Sequence, residues 1–471
     1  MELIGREEEK QTIIELYESN ESSFLAIYGR RRVGKTFLVR KTLSDKITFS
    51  YSGKANINKR TQLNSFRLTL IENGLHDCPI LKDWFEAFFY LKKIIQESIV
   101  QKKVIFLDEV AWMDNQKSDF ISALEGFWNE WASKRNDILL IICASATSWI
   151  IDNVFHNRGG LHNRITHRLR INPFNLSECE EYSKVANLAY SRYQILQLYM
   201  AIGGVAWYWS LLKKGYSVIQ NLILLFFSED APLKGEYKEL YSSLFRKPEK
   251  YIDIIKALSI KISGLDKQEL SAECKISNNS KLTHMLEELE ECGFIRKYIP
   301  FGKKHNSMRY QLTDCLSLFH LTFLSKTRGD LSPEMLLASN SYVVWCGLAY
   351  ERVVLNHIHQ VKKALGINGI YTQAYTWRSN PSEDNKAQID LLIDRADSVI
   401  NLVEVKWSVD GKKYVITKEV EENLLNKKDT FVSQTKTRKS VFITMITLSG
   451  IERNSHSDCV TASLTLDDLF N

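Results

Sequence analysis

No apolar run in this 471-residue chain approaches the ~18 to 20 residues that a membrane-crossing helix needs. The opening Met1-Glu2-Leu3-Ile4-Gly5-Arg6-Glu7-Glu8-Glu9 lacks the basic and apolar regions of a secretory leader. These absences predict a cytoplasmic protein with no membrane partner. The 8 cysteines form no CxxC pair and lie mostly in apolar or helical stretches, as Cys143 does. A disulfide framework and a zinc cluster are thereby disfavoured, and reduced thiols are expected. With only 7 prolines, no low-complexity tract and no internal repeat, the disordered and solenoid classes fall away. What is there is globular: 44% hydrophobic and 25% charged residues, long enough for roughly three domains. The formal charge of +6 permits a polyanionic partner but is spread too widely to identify one.

Through about residue 175, short apolar strand candidates alternate with helical patterns: Phe24 to Tyr28, Ile47 to Tyr51, Val104 to Leu107 and Ile138 to Cys143. That rhythm predicts a parallel sheet covered by helices. Residues 176–240 are aromatic and helical and read as a small lid. From Tyr251 to Thr313 the pattern is three helices (Tyr251 to Ile262, Lys267 to Cys274, Ser280 to Cys292) followed by strands near Phe294 to Ile299 and Met308 to Leu312. That order predicts a winged helix-turn-helix, with a helical connector to about Pro333. A fresh α/β segment follows, with strands at Ala387 to Ile393, Val399 to Val405 and Ser440 to Thr444. The expected fold is therefore α/β and multidomain: an α/β core 1–175, helical lid 176–240, winged helix and connector 241–333, and a C-terminal α/β domain 334–471.

Gly29-Arg30-Arg31-Arg32-Val33-Gly34-Lys35-Thr36 fits a P-loop, preceded by an apolar strand and followed by the helix-compatible Phe37-Leu38-Val39-Arg40. Such a loop turns its N–H groups toward the phosphates of ATP, and the following helix adds its positive end. Lys35 is expected to reach the β and γ phosphates, and Thr36 to supply a hydroxyl to Mg²⁺. The second half of a hydrolytic site is Val104-Ile105-Phe106-Leu107-Asp108-Glu109, a buried strand ending in two acids. Asp108 is expected to hold Mg²⁺ and Glu109 to act as general base. Ile138 to Ser145 reads as the next core strand; Ser145, with Thr147 as the alternative, stands where a γ-phosphate sensor would sit, or simply ends the strand in a turn.

With these motifs the first half of the chain resembles the archaeal ATPase family of the AAA+ class, close to STAND-type ATPases. The family's opening Gly-Arg-Glu run corresponds to Gly5-Arg6-Glu7-Glu8-Glu9, which in relatives packs near the adenine. Gly160-Leu161-His162-Asn163-Arg164 resembles the place of an arginine finger, making Arg164 a candidate for that role, with a surface ion pair as the alternative. A Gly-Gly-hydrophobic-Pro motif of relatives corresponds to Gly203-Gly204-Val205, with Ala206 in place of proline.

In the winged helix, the third helix begins with polar Asn278-Asn279-Ser280-Lys281 but continues into acidic Glu287-Glu288-Leu289-Glu290-Glu291, which phosphates would repel. DNA contact is thus expected from the wing, where Lys297, Lys303, Lys304, His305 and Arg309 cluster. A solvated basic loop or an interdomain packing module is the alternative.

At the C-terminal end, Gln388-Ile389-Asp390 starts one strand and Glu404-Val405-Lys406 ends the next. Residues two apart share a strand face, so Glu404 and Lys406 are expected to face Asp390 across a hairpin. Two carboxylates and a lysine suit a second divalent ion, Mg²⁺ or Mn²⁺, bound by Asp390, Glu404 and the Val405 carbonyl, with Lys406 positioning water or stabilising a phosphate. This segment resembles the PD-(D/E)XK, restriction-endonuclease-like fold, in a domain of the kind that accompanies archaeal ATPases. Trp345-Cys346-Gly347-Leu348-Ala349-Tyr350-Glu351-Arg352 matches its first helix, and the resemblance makes Glu351 a further metal ligand. The combined expectation is an ATP- and Mg²⁺-dependent ATPase that couples nucleotide state to DNA binding or nucleic-acid cleavage. The alternative is an ATP-driven switch whose C-terminal domain only binds a partner.

Overall fold

The computed structural model describes residues 2–471 except 115–117, 146, 156–163, 246, 262, 304–306, 326–331, 381–386 and 409–410. The chain divides into two compact units, Met1–Pro173 and Phe174–Asn471. In the first, the elements run α1 (Glu7–Glu18), β1 (Ser23–Tyr28), α2 (Lys35–Leu43), β2 (Ile47–Ser52), α3 (Lys59–Glu72), α4 (Trp84–Glu97), β3 (Lys103–Asp108), α5 (Phe120–Glu130), β4 (Ile138–Ala144), the short α6 (Thr147–Ile150) and β5 (His167–Arg170). The five strands form one parallel sheet in the order β2-β3-β4-β1-β5. All seven residues of β4 are buried, as an apolar strand with helices on both faces requires. Alternate side chains divide between two cores: Leu140 and Ile142 face Trp84, Phe88 and Phe127, whereas Leu139 and Ile141 face Ile13, Leu38 and Val39. Asp83 starts α4 by accepting the Glu86 N–H at 2.8 Å, satisfying one of the donors a helix leaves open.

The second unit begins with α7 (Leu176–Val185), α8 (Arg192–Ile202), α9 (Ala206–Ser210), α10 (Val218–Phe226) and α11 (Glu236–Leu244). Capping boxes at Asn175/Glu178, Ser191/Gln194 and Ser217/Gln220 start three of them. Next come α12 (Pro248–Ile260), β6 (Leu265–Asp266), α13 (Lys267–Glu273), α14 (Ser280–Glu291), β7 (Ile295–Tyr298) and β8 (Arg309–Leu312). These strands form an antiparallel sheet, β6-β8-β7. After α15 (Cys315–Phe319), α16 (Pro333–Leu337), α17 (Asn340–Asn356) and α18 (Ile358–Ala364) comes a mixed sheet. It contains β9 (Thr372–Arg378), β10 (Gln388–Arg395), β11 (Val399–Lys406), β12 (Ser440–Thr447) and β13 (Ala462–Leu464), in the order β13-β12-β11-β10-β9. β9, β10 and β11 pair antiparallel, and α19 (Lys418–Thr435) carries the chain over to β12, parallel to β11.

The parallel sheet and the helical run after it match the sequence expectation. Four strands were not anticipated: β5, β6, β9 and β13. β5, His167-Arg168-Leu169-Arg170, is too polar to announce itself, and β6 is two residues long. The lid helices, the three-helix segment and the C-terminal sheet gather in one compact unit. Buried Arg352 of α17 helps tie them, since its Nη1 donates to the Leu312 carbonyl. No helix among the described residues is long and apolar enough to cross a membrane, and all 8 cysteines are free thiols.

His357 is a second tie. Its Nε2 accepts the Leu176 N–H at 3.1 Å, so the ring proton sits on Nδ1 and is donated to the Val353 carbonyl at 2.8 Å. Burial holds the imidazole neutral, with its pKa pushed down to about 4. The unfolded chain takes up a proton at His357 below its ordinary value of about 6.5, and the folded chain does so only near 4, so stability is full above the first value and falls toward the second. Moving from pH 7.5 to pH 5 is expected to remove on the order of 2 kcal/mol through this group. Urea midpoints should show a smaller acid loss in His357→Gln than in the parent; equal losses would discount the residue.

Candidate functional site

The nucleotide site forms where β1 turns into α2. Gly29 has φ +138°, and a Cβ there would lie 2.3 Å from the Ile171 carbonyl oxygen, so no other residue fits. Arg32 takes φ +69° and Gly34 φ +96°, curling the loop so that α2 begins at Lys35. Val33 is buried in the core shared with Leu38 and Val39 and anchors the loop from below; Arg30 is buried, and Arg31 and Arg32 are half-buried. The first N–H groups of α2 point out of the helix start, where phosphate oxygens are favoured. Lys35 donates to the carbonyls of Gly29 and Arg30, both at 2.9 Å, and to Ser145 Oγ at 3.0 Å. Its ammonium thus rests inside the cradle the loop makes, which fits a nucleotide polyphosphate.

Running β4 between β1 and β3 sets the other half of the site. Thr36 Oγ1 donates to Asp108 Oδ2 at 2.8 Å, joining the helix start to the end of β3. Burial raises the Asp108 carboxyl above its ordinary value, opposed by the Thr36 hydrogen bond and reinforced by the neighbouring charge of Glu109. Such a buried, electron-rich pair suits a hard cation, so Thr36 and Asp108 fit as ligands of Mg²⁺. Glu109 turns at φ +50°, a left-handed conformation rare outside glycine, and so directs its carboxylate toward β4. Ser145 Oγ donates to Glu109 Oε1 at 2.5 Å, and the Ser145 N–H donates to Oε2 at 3.3 Å. Ser145 therefore joins Lys35 to the acid expected to act as base. Of the alternative, Thr147, only its place in α6 is described.

Other sequence expectations fare differently. Arg164 is exposed in the turn before β5, and its neighbours 160–163 lie outside the described residues. Arg6 is buried and donates to the Asn172 carbonyl and to Glu9 at 3.3 Å. Gly204 packs so tightly that a Cβ would lie 1.8 Å from the Phe174 oxygen. Ala206 is the first residue of α9, a position that serves proline and alanine alike. In the β7–β8 hairpin, two of the five expected basic residues are paired with acids. Lys297 pairs with Glu290 at 2.6 Å, and Arg309 with Glu269 at 2.9 Å and the Gly264 carbonyl at 2.7 Å. Lys303 is exposed, and Lys304 and His305 lie outside the described residues. The hairpin also docks onto the C-terminal sheet: the Phe301 N–H donates to the Thr376 carbonyl at 2.8 Å, and its ring packs 5.4 Å from Tyr375 and 5.2 Å from Phe431. These contacts hold the hairpin against the C-terminal sheet.

Asp390 on β10 and Glu404 on β11 adjoin the paired Leu391 and Val403, and both act electrostatically on Glu351. Glu404 is buried, and each of its oxygens holds a lysine: Lys406 at 2.8 Å and Lys427, from α19, at 2.7 Å. Burial works to raise the Glu404 carboxyl, but the two ammonium groups outweigh it and hold it below the ordinary value. Asp390 Oδ1 accepts from Gln388 Nε2 at 2.6 Å. Among the described residues no group of three or more His, Cys, Asp or Glu side chains is placed to hold a metal ion. Glu351, Asp390 and Glu404, the expected metal ligands, form no such group in this arrangement, in which Glu404 pairs with two lysines. Lys427 was not anticipated, because nothing in the Glu404-Val405-Lys406 pattern points to a partner 23 positions on. Glu351, on α17, is pushed up to about 7 by burial first and then by the negative charges of Asp390 and Glu404, with Lys406 and Arg352 opposing.

Residues 3–210 match the family described as an ATPase domain predominantly from Archaea. The match ends with α9, so that domain takes in the first helices beyond the parallel-sheet unit. An uncharacterized protein of Methanocaldococcus jannaschii is 24% identical over 422 residues, covering 86% of this chain and 87% of that protein. An uncharacterized ATP-binding protein of the same organism is 40% identical over 43 residues, 9% of this chain and 73% of that protein. Among solved structures, a Walker-type ATPase of Pyrococcus abyssi aligns with a TM-score of 0.49 at 16% identity, over 68% of this chain and 96% of that one.

The raised Glu351 carboxyl has a measurable consequence. The folded chain holds a proton there that the unfolded chain releases near 4.5, so stability falls as pH rises from about 4.5 through about 7. Glu351→Gln removes that loss and is expected to stabilise the protein at pH 8 by on the order of 2 kcal/mol, with little gain at pH 5. Thermal unfolding at both values checks this; equal gains at the two would remove the assignment.

Proposed function

We propose that this chain, an ATPase through its residues 3–210, uses its nucleotide cycle to set how a nuclease-like C-terminal domain engages nucleic acid, DNA in the first instance. The observation that carries the hydrolytic part is the Lys35–Ser145–Glu109 chain of hydrogen bonds beside the Thr36–Asp108 pair. Lys35 and the amides of residues 29–36 would hold the polyphosphate, and Thr36 and Asp108 would hold Mg²⁺, which neutralises phosphate charge. Glu109 would take the proton of the attacking water, and Ser145, released from Lys35 and Glu109, would report the γ-phosphate. Arg164 is assigned as the finger, in this copy or in a neighbouring one.

Four working parts are proposed: ATPase core 1–175, lid 176–240, winged helix with its connector 241–333, and PD-(D/E)XK-like domain 334–471, in a cytoplasmic protein. For the last, support comes from the order α17, β9, β10, β11, α19, β12 and from Asp390, Glu404 and Lys406 at one end of β10 and β11. Since Glu404 is committed to lysines, no cleavage step through a metal is drawn. The second reading, an ATP-driven switch whose C-terminal domain binds without cutting, is favoured by those same ion pairs.

Lys35→Ala is expected to abolish ATP binding. Glu109→Gln should keep binding while turnover falls by about 10²- to 10⁴-fold; unchanged turnover in a phosphate-release assay would take the base away from Glu109. Incubating the intact protein and Lys406→Ala with DNA and RNA in Mg²⁺ or Mn²⁺ separates the two output readings: strand cutting that is lost in the variant supports cleavage, and no cutting by either leaves the switch.

A further inference from the structure

Under the β7–β8 hairpin lies a cavity of about 240 Å³. Its roof is Tyr298, Pro300, Phe301 and Lys303; its floor is Glu351 and Arg352 of α17, Thr376 to Arg378 at the end of β9 with Ser379 and Asn380 after it, and Gln388 to Asp390 of β10. The Phe301 contacts with Thr376, Tyr375 and Phe431 fix the roof to the floor. Two features give the cavity its chemistry. Trp377 and Phe301 supply aromatic surface. A polar chain runs along the floor: the exposed Arg378 donates to Gln388 Oε1, and Gln388 Nε2 donates to Asp390 Oδ1 at 2.6 Å. Lys303, also exposed, adds a second cation to the lining. Aromatic surface inside, cations at the mouth and amide groups between them are what an unstacked base with its phosphate requires.

The volume decides which form of nucleic acid fits. Pockets for drug-sized ligands run to about 300–1,000 Å³, so this one holds about one nucleotide. A base pair in its stack cannot enter beneath the hairpin. We infer that the cavity receives a single unpaired nucleotide of a nucleic-acid strand, stacked under Phe301 and Trp377 with its phosphate between Arg378 and Lys303. The inference rests on the nuclease-like reading of the C-terminal domain and sharpens it to a single-stranded substrate.

The test uses the full chain in EDTA, so that binding is read apart from any cutting. Fluorescence anisotropy compares a labelled single-stranded DNA oligonucleotide with a blunt duplex of the same sequence. The single strand is expected to bind at least about tenfold tighter, and Arg378→Glu, at an exposed position, should weaken it by about tenfold or more. Phe301→Ala, which opens the roof, should narrow the preference for the single strand; thermal unfolding verifies that both variants fold. Equal affinity for the two DNAs, no binding to either, or single-strand binding that Arg378→Glu leaves intact overturns the pocket. Selective, Arg378-dependent binding by a protein that cuts nothing in Mg²⁺ or Mn²⁺ sustains the pocket and ends the cleavage reading. Cutting of blunt duplex without strand preference does the reverse.

Discussion

The course of β4 between β1 and β3 is the constraint on which the nucleotide site depends. A parallel sheet aligns the carboxyl ends of its strands at one edge, where the turns into the following helices are free to carry polar groups. With β4 in the middle, Ser145, just past its end, falls between the lysine that follows β1 and the acid that follows β3. Were the two motif strands adjacent, no hydroxyl would stand between them. Seven buried residues in a row hold β4 in that place, so the placement of a hydrogen bond traces back to a run of side chains with no polar function.

The second unit is organised by polar side chains removed from water. Arg352 spends an N–H on the Leu312 carbonyl, His357 binds a helix-start amide, and Glu404 holds two lysines. The first two connect elements far apart in sequence, and each of the three is costly to leave half-made, because an unpaired buried polar group loses water without compensation. Such ties specify one arrangement of the helical, hairpin and mixed-sheet segments more sharply than apolar packing, which tolerates rearrangement.

This difference explains what could be read from the sequence. The P-loop, the acids of β3 and the β4 strand are local patterns whose meaning is carried by neighbours within a few positions, and they were legible. β5 was not, because a polar four-residue edge strand has no alternation of its own. The hairpin cations looked free because Glu290, partner of Lys297, sits on the preceding helix, and Glu269, partner of Arg309, lies 40 positions away. Lys427 was invisible for the same reason. Phe301 was passed over amid lysines, although an aromatic at a hairpin tip is the one feature there that water disfavours.

The hairpin's grip on β9 has a further meaning. β9 is the last strand of its sheet, and an outermost strand offers unpaired backbone groups to any extended chain that drifts by. By giving its amide to Thr376, Phe301 occupies part of that edge from within the same polypeptide. The hairpin therefore shields the C-terminal sheet from strand addition by other molecules, and a fragment cut free of it would present an open margin prone to self-association.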